Sequence, residues 1–258
     1  FAGRVAPIQL SYIGYLGTMG SEYYDYLLAD QHIIPNNMRK WYTEKIIYLP
    51  SFQVNDNKRA FPDKVFLRED LGLPSKGFVF CCFNNSYKIL PSTFDSWMRI
   101  LSKVDDSVIF LLGPNKNVKD NLQKEAIARD INPDRLIFGE NVSMSDYLSR
   151  FHNADLFLDT SPYNAGATAS DALRSELPLI TLLGNSFASR HAASILRAVG
   201  LPELIARSTE EYESFAIELA TNPEMFQAIK AKLRKNLSSS LLLDTKLFSK
   251  NLESAYQK

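Results

Sequence analysis

From Phe78 onward the chain repeats one pattern, a short apolar run followed by a stretch with helical spacing and then another apolar run. The runs are Phe78–Phe83, Val108–Leu112, Leu136–Phe138, Leu156–Leu158 and Leu179–Leu183. Hardly any polar residue interrupts them, so each strand is expected to be covered on both faces, as in a parallel sheet flanked by helices. Helical stretches fall between them at Pro91–Lys103, where Ser92 or Thr93 can cap the start, and at Asp120–Asp130. The alternation predicts an α/β fold on a doubly wound, Rossmann-like parallel sheet. A helix over 187–199 capped by Ser186 is expected after the fifth run, then helices near 209–221 and 223–236. A last helix near 244–257 sets Leu247, Leu252 and Ala255 along one side, which predicts docking on another surface.

The first part of the chain reads differently. Its strands are short, near 8–13, 26–29 and 45–49, with turn signals from Gly14 to Gly20 and a short helix after Pro35. This is half of an α/β unit. The polar stretch Asn55–Pro62 fits a linker or a crossing between lobes. The expected division is therefore a partial N-terminal lobe over 1–67, a Rossmann-like C-terminal lobe over 68–240 and a helix over 241–258 that docks across the two. Because the sequence opens without methionine and runs at once into a strand, it is expected to begin inside a larger protein.

Composition narrows the partners. Lys plus Arg number 29 and so do Asp plus Glu, which leaves no basic field for nucleic acid. No apolar run nears the ~20 residues that span a bilayer, and the start has no signal-peptide layout. Cys81 and Cys82 lie side by side in an apolar run and read as small core residues of a reducing compartment. The expectation is a cytoplasmic protein without membrane or nucleic-acid partners.

In an open parallel sheet, ligands bind beyond the carboxyl ends of the strands. That rule selects the segments starting at Asn84, Gly113, Gly139, Asp159 and Gly184. The fourth, Asp159 to Asp171, is rich in small residues and runs into a helical Ala172-Leu173-Arg174. Small residues let a ligand approach the backbone, and free amides at a helix start attract anions, so a diphosphate fits there. Thr168 can donate its hydroxyl to a phosphate, and Asp171 can accept from a ribose hydroxyl. The same turn also fits a helix merely capped by Thr168 and packed closely through Gly166 and Ala167, and the local sequence alone favours this second reading. Lys88, just beyond a buried strand in the same rim of loops, shifts the balance toward a diphosphate, since a leaving nucleotide needs a cation. There is no Asp-x-Asp pair at a strand end, and His32, His152 and His191 have no ligand spacing, so no metal is expected. Ser186 with nearby His191 faintly resembles a nucleophile elbow, but Ala188 replaces its second glycine.

Several linked segments carry a family resemblance. Ala6-Pro7-Ile8-Gln9, Gly14 to Gly20, Phe83 to Ile89, Ala154 to Thr160, Tyr163-Asn164-Ala165-Gly166, Ala188-Ser189-Arg190 and Gly200 to Ile205 together resemble the catalytic region of the O-GlcNAc transferase family. The likeness runs over nearly the whole chain. It implies a GT-B fold and inverting transfer of a sugar, GlcNAc in the family, from a UDP-sugar to Ser or Thr of a protein, without metal or other cofactor. It also implies partners outside this sequence, namely the rest of the N-terminal lobe and upstream tetratricopeptide repeats.

Carried over by position, Lys88 is the essential diphosphate lysine. Asn85 and Tyr87 stand beside the UDP-sugar, Thr168 is the phosphate-binding threonine at the helix start and Asp171 the ribose-binding carboxylate. Gly166 and Ala167 belong to the same turn, and Gly14, Leu16 and Thr18 to the loop that faces the sugar across the cleft. The chain departs from the family pattern at Leu16, where proline is common, at Tyr147, where a histidine stands near the nucleotide, at Ala167, which lacks a hydroxyl, and at Met144, where a uracil-contacting lysine can occur. These departures imply fewer polar contacts to the nucleotide. Two further readings follow from them: a sugar-nucleotide-binding interaction module without catalysis, and a GT-B enzyme acting on a glycan or asparagine.

Overall fold

The computed structural model describes residues 1–58, 66–113, 115–140 and 142–257. The linker expected over Asn55–Pro62 falls partly outside them, as do Pro114, Asn141 and the side chain of Met144.

Two parallel sheets organise the chain. The first has three strands in the order β1 (Leu10–Ser11), β2 (Tyr26–Ala29), β3 (Lys45–Tyr48), with Leu27 opposite Ile46. A 3₁₀ turn over Asn36–Trp41 provides the short helix expected after Pro35. Side chains alternate across a strand, and here the alternation gives the sheet two packed faces. Leu27 and Ala29 join Ile33, Ile34, Phe52 and Phe187 on one side, whereas Leu28 joins Leu49 and Ala255 on the other.

The second sheet has six strands: β4 (Val79–Cys82), β5 (Val108–Leu112), β6 (Leu136–Gly139), β7 (Leu156–Leu158), β8 (Leu179–Leu182) and β9 (Ile205–Ala206). All pair in parallel, in the order β6-β5-β4-β7-β8-β9. Counted from β4 this is 3-2-1-4-5-6, the doubly wound order of dinucleotide-binding folds, and its direction reverses between β4 and β7. Both of those strands are buried throughout. The two-residue β9 has no counterpart among the expected strands.

The helices are α1 (Pro91–Lys103), α2 (Lys116–Ile127), α3 (Met144–Arg150), α4 (Ala167–Arg174), α5 (His191–Ala198), α6 (Thr209–Thr221), α7 (Pro223–Leu237) and α8 (Thr245–Tyr256). In α1, Phe94, Trp97, Met98 and Leu101 form one buried stripe. Tyr212 of α6 ties this layer to the site, accepting from Trp97 Nε1 at 3.2 Å while its hydroxyl donates to the Asp159 carbonyl at 2.9 Å.

Several expected helix starts are corrected. Neither Ser92 nor Thr93 caps α1: Leu90 is the capping residue and Pro91 fills the first turn, where a missing N–H costs nothing. Thr93 Oγ1 donates instead to the Ser161 carbonyl at 2.9 Å. The helix expected from Asp120 starts at Lys116, capped by Asn115 Oδ1, which accepts from the Val118 N–H at 3.0 Å. Ser186 caps no helix, because its amide and hydroxyl are both engaged by Ser189 Oγ at 2.9 Å in a turn that delays α5 to His191. At α8, Ala255 and Leu252 pack onto Leu28 and Leu49 of the first sheet, but Leu247 stays 37% exposed and belongs to the outer side.

Candidate functional site

The loop after β7 is built around Asp159. Its Oδ1 accepts from the Thr160 and Ala165 amides at 2.8 and 2.7 Å, and its Oδ2 from Thr181 Oγ1 at 2.6 Å. Burial pushes this carboxyl up to about 7, opposed by those donors. Thr160 Oγ1 donates to the Tyr163 carbonyl at 2.7 Å, and Asn164 Nδ2 to the Thr160 carbonyl at 2.9 Å. With its turns fixed in this way, the loop presents Gly166 as the residue before α4. Thr168 does not cap that helix; it lies one residue inside it, hydrogen-bonded to Tyr147.

Lys88 approaches from the other side of the switch point, in a 3₁₀ turn over Ser86–Lys88 that follows β4. Its Nζ donates to the Asn164 carbonyl at 3.0 Å and lies 3.9 Å from the centroid of the Tyr163 ring. Burial lowers the pKa of this ammonium, and the nearby Asp159 carboxyl opposes the shift. A half-buried cation that donates to a carbonyl and lies over a ring face gains much from an arriving anion.

The two sheets enclose a cleft of about 460 Å³. One wall is the loop Ile13 to Leu16 of the first sheet; the other is Lys88, Tyr163, Asn164 and the Gly166-Ala167 start of α4, with Gln53, Ala188 and His191 completing the lining. The volume suits a small-molecule ligand. Cross-links hold the walls in register: Arg190 Nε donates to the His32 carbonyl at 2.9 Å, Asn55 Nδ2 to Asp171 Oδ1 at 3.0 Å, and Ser194 Oγ to Asp30 Oδ2.

The residues singled out in the sequence fall into three groups. Gly14, Leu16, Lys88, Gly166 and Ala167 line this cleft together. Tyr147, Thr168 and Asp171 form a neighbouring cluster along α3 and α4, reached through the Ala167–Thr168 peptide. Burial raises the Tyr147 phenol, with the Asp171 carboxylate adding to the shift. Asn85 and Tyr87 are exposed on the turn that carries Lys88. Thr18 points elsewhere, donating to Glu44 Oε2 at 2.6 Å, beside a separate depression that also contains Trp41 and Ser186. Ser186 and His191 do not form a hydrolase pair, since the serine is held by Ser189 and His191 Nε2 lies 2.7 Å from Gln53 Oε1.

His191 is one cleft residue that the sequence reading did not place there. It is 2% exposed, and burial drives its pKa down to about 4, so the ring is neutral. Its place depends on Gly166: a Cβ there would come within 2.7 Å of His191 Cε1. No local signal in the sequence links residues 166 and 191.

A dinucleotide-type sheet with a cation and a helix start at its switch point, faced by the loops of a second parallel sheet, defines a GT-B-type architecture. The family model for glycosyl transferase family 41 matches residues 1–67 and 63–252, and the chain belongs to that family. It is 37% identical, over its whole length, to an Arabidopsis thaliana protein named probable UDP-N-acetylglucosamine–peptide N-acetylglucosaminyltransferase SEC, of which it spans 27%. A Caenorhabditis elegans UDP-N-acetylglucosamine–peptide N-acetylglucosaminyltransferase is 36% identical over 74% of the chain, which covers 17% of that protein. Among solved structures, a mutant of the Thermobaculum terrenum O-GlcNAc transferase superposes over 99% of the chain, covering 49% of its own, with a TM-score of 0.87 and 29% identity. Sucrose-phosphate synthase from Thermosynechococcus elongatus shares the fold, with a TM-score of 0.65 at 14% identity over 91% of this chain and 58% of its own.

Proposed function

We propose that this chain forms the donor-binding part of a protein glycosyltransferase that moves GlcNAc from UDP-GlcNAc to a Ser or Thr hydroxyl with inversion. The observation that carries the reading is the convergence of the Lys88 ammonium and the Gly166-led start of α4 on one cleft. The names of the Arabidopsis and C. elegans relatives support the sugar and the peptide acceptor. In the transfer, the acceptor oxygen bonds to the anomeric carbon as the bond from that carbon to the diphosphate oxygen breaks. The hydroxyl proton departs, and UDP leaves with the negative charge. Lys88 and the amides at the start of α4 stabilise that charge as it develops, which supplies the electrostatic part of catalysis without a metal.

Nucleoside binding falls to the adjoining cluster, with Asp171 toward the ribose, Thr168 toward the phosphates and Tyr147 beside the base. Asn85 and Tyr87 meet the donor from the Lys88 turn, and Gly14 and Leu16 belong to the loop on the sugar side. The protein acceptor and upstream tetratricopeptide repeats are the partners of this reading. Its setting is the cytoplasm, consistent with Cys81 and Cys82 as buried free thiols. Among the described residues no helix is long and apolar enough to cross a membrane.

The test is transfer by the full-length protein containing this chain, incubated with UDP-GlcNAc and Ser- or Thr-bearing peptides and read by intact mass. Lys88→Ala is expected to lower kcat by about 100-fold or more. Tight UDP binding without transfer to any peptide would favour a binding module instead.

A further inference from the structure

His191 carries a polar atom that the fold leaves unused. Gln53 Oε1 lies 2.7 Å from Nε2, and a carboxamide oxygen accepts, so Nε2 bears the hydrogen and Nδ1 the lone pair. Nδ1 is buried and, among the described residues, has no partner. Leaving a buried acceptor unmatched is costly, and in native proteins such atoms call for an explanation. The explanation lies in the position of the ring. His191 lines the cleft beside Gly166, where an added Cβ would stand 2.9 Å from Nδ1, so any side chain at 166 would crowd that nitrogen. Asn164, another residue of the same lining, has a buried Oδ1 that is likewise unpartnered.

Lone pairs of this kind repel phosphate oxygens and attract hydroxyl or N–H groups. The cleft therefore divides chemically: Lys88 and the start of α4 serve an anion, and His191 with Asn164 serves hydrogen-bond donors. We propose that His191 Nδ1 is a specificity contact of the donor site, accepting a hydrogen bond from a hydroxyl or the N–H of the sugar carried by the nucleotide. This rests on the donor-site reading above and extends it to the sugar end of the ligand. His191 is bonded to Gln53 and lines the cleft with Gly14 and Leu16, whereas Tyr147, Thr168 and Asp171 are not among its lining residues.

The experiment is calorimetric titration of the chain with UDP, UDP-GlcNAc and UDP-glucose, alongside His191→Phe and His191→Asn, with ¹⁵N NMR of the imidazole in the unaltered chain. His191→Phe keeps a ring but loses the acceptor, and is expected to weaken UDP-GlcNAc about tenfold while changing UDP less than about twofold. His191→Asn, whose side-chain oxygen reaches near the Nδ1 position, recovers part of the loss. The Nδ1 resonance shifts on saturation with UDP-GlcNAc but not with UDP. A matching shift with UDP-glucose assigns the contact to a hydroxyl, and its absence assigns it to the N-acetyl N–H. Equal weakening of UDP and UDP-GlcNAc, or an Nδ1 resonance that ignores the sugar nucleotide, overturns the proposal while leaving the nucleotide site standing. Failure of the unaltered chain to bind UDP removes the donor-site reading and this proposal together. The NMR arm decides even where His191→Phe does not fold.

Discussion

Asn55 donates from one Nδ2 to Ser170 Oγ at 2.6 Å and to Asp171 Oδ1 at 3.0 Å, bonding the segment after β3 to α4 across more than a hundred residues of sequence. Asn55 and Asp171 are both buried, so the lost hydrogen bond is not made good by bulk water. Asn55→Ala should lose about 1–3 kcal/mol of stability by chemical denaturation. Asn55→Asp should lose more, because it sets a second carboxylate against Asp171. An effect below about 0.5 kcal/mol for both would show that this link does not hold the two sheets together.

The buried His191 makes a specific contribution to the pH dependence of stability. Its folded pKa of about 4 lies below the unfolded value of about 6.5, so between those limits the unfolded chain binds more protons at this site. Stability is therefore full above about pH 6.5 and falls as the pH drops toward 4, by about 2–3 kcal/mol from this group. Lys88 acts in the same direction on the ring and Asp30 against it. Denaturation curves between pH 7 and 4 should show a shallower fall for His191→Phe than for the unaltered chain. Parallel curves would mean that the ring is protonated in the folded state.

The outer face of the first sheet depends on α8. Ala255 is 8% exposed, packed with Leu28 and Leu49, and has no room for a solvated charge. Ala255→Asp is expected to cost about 3 kcal/mol, whereas Leu247→Asp on the exposed side should stay within about 0.5 kcal/mol. Thermal unfolding of the two variants checks the pair, and equal losses would contradict this orientation of α8.

How much of this was legible depends on the range of the forces involved. Strands β4 to β8 could be read because burial on both faces leaves a local mark, a run of apolar residues with few interruptions. The strand-end rule then points to Lys88 and the Asp159–Asp171 loop from the sequence alone. The two-residue β9 was invisible, since Ile205-Ala206 is too short to show a period. The starts of α1 and α5 were misread because Thr93 and Ser186 each have a stronger partner than a helix amide: the Ser161 carbonyl for one and Ser189 for the other. The turn of Thr18 toward Glu44 and the setting of His191 between Gln53 and Gly166 are tertiary arrangements that no local pattern records.

The donor site as a whole rests on Lys88, so the most direct measurement is calorimetric titration of the chain and of Lys88→Ala with UDP, with and without magnesium. The account predicts binding that magnesium does not alter and that weakens about tenfold or more in Lys88→Ala, in line with the loss of a charge-assisted bond to a diphosphate. UDP binding of equal strength in a folded Lys88→Ala chain, or no binding by the unaltered chain, would contradict it.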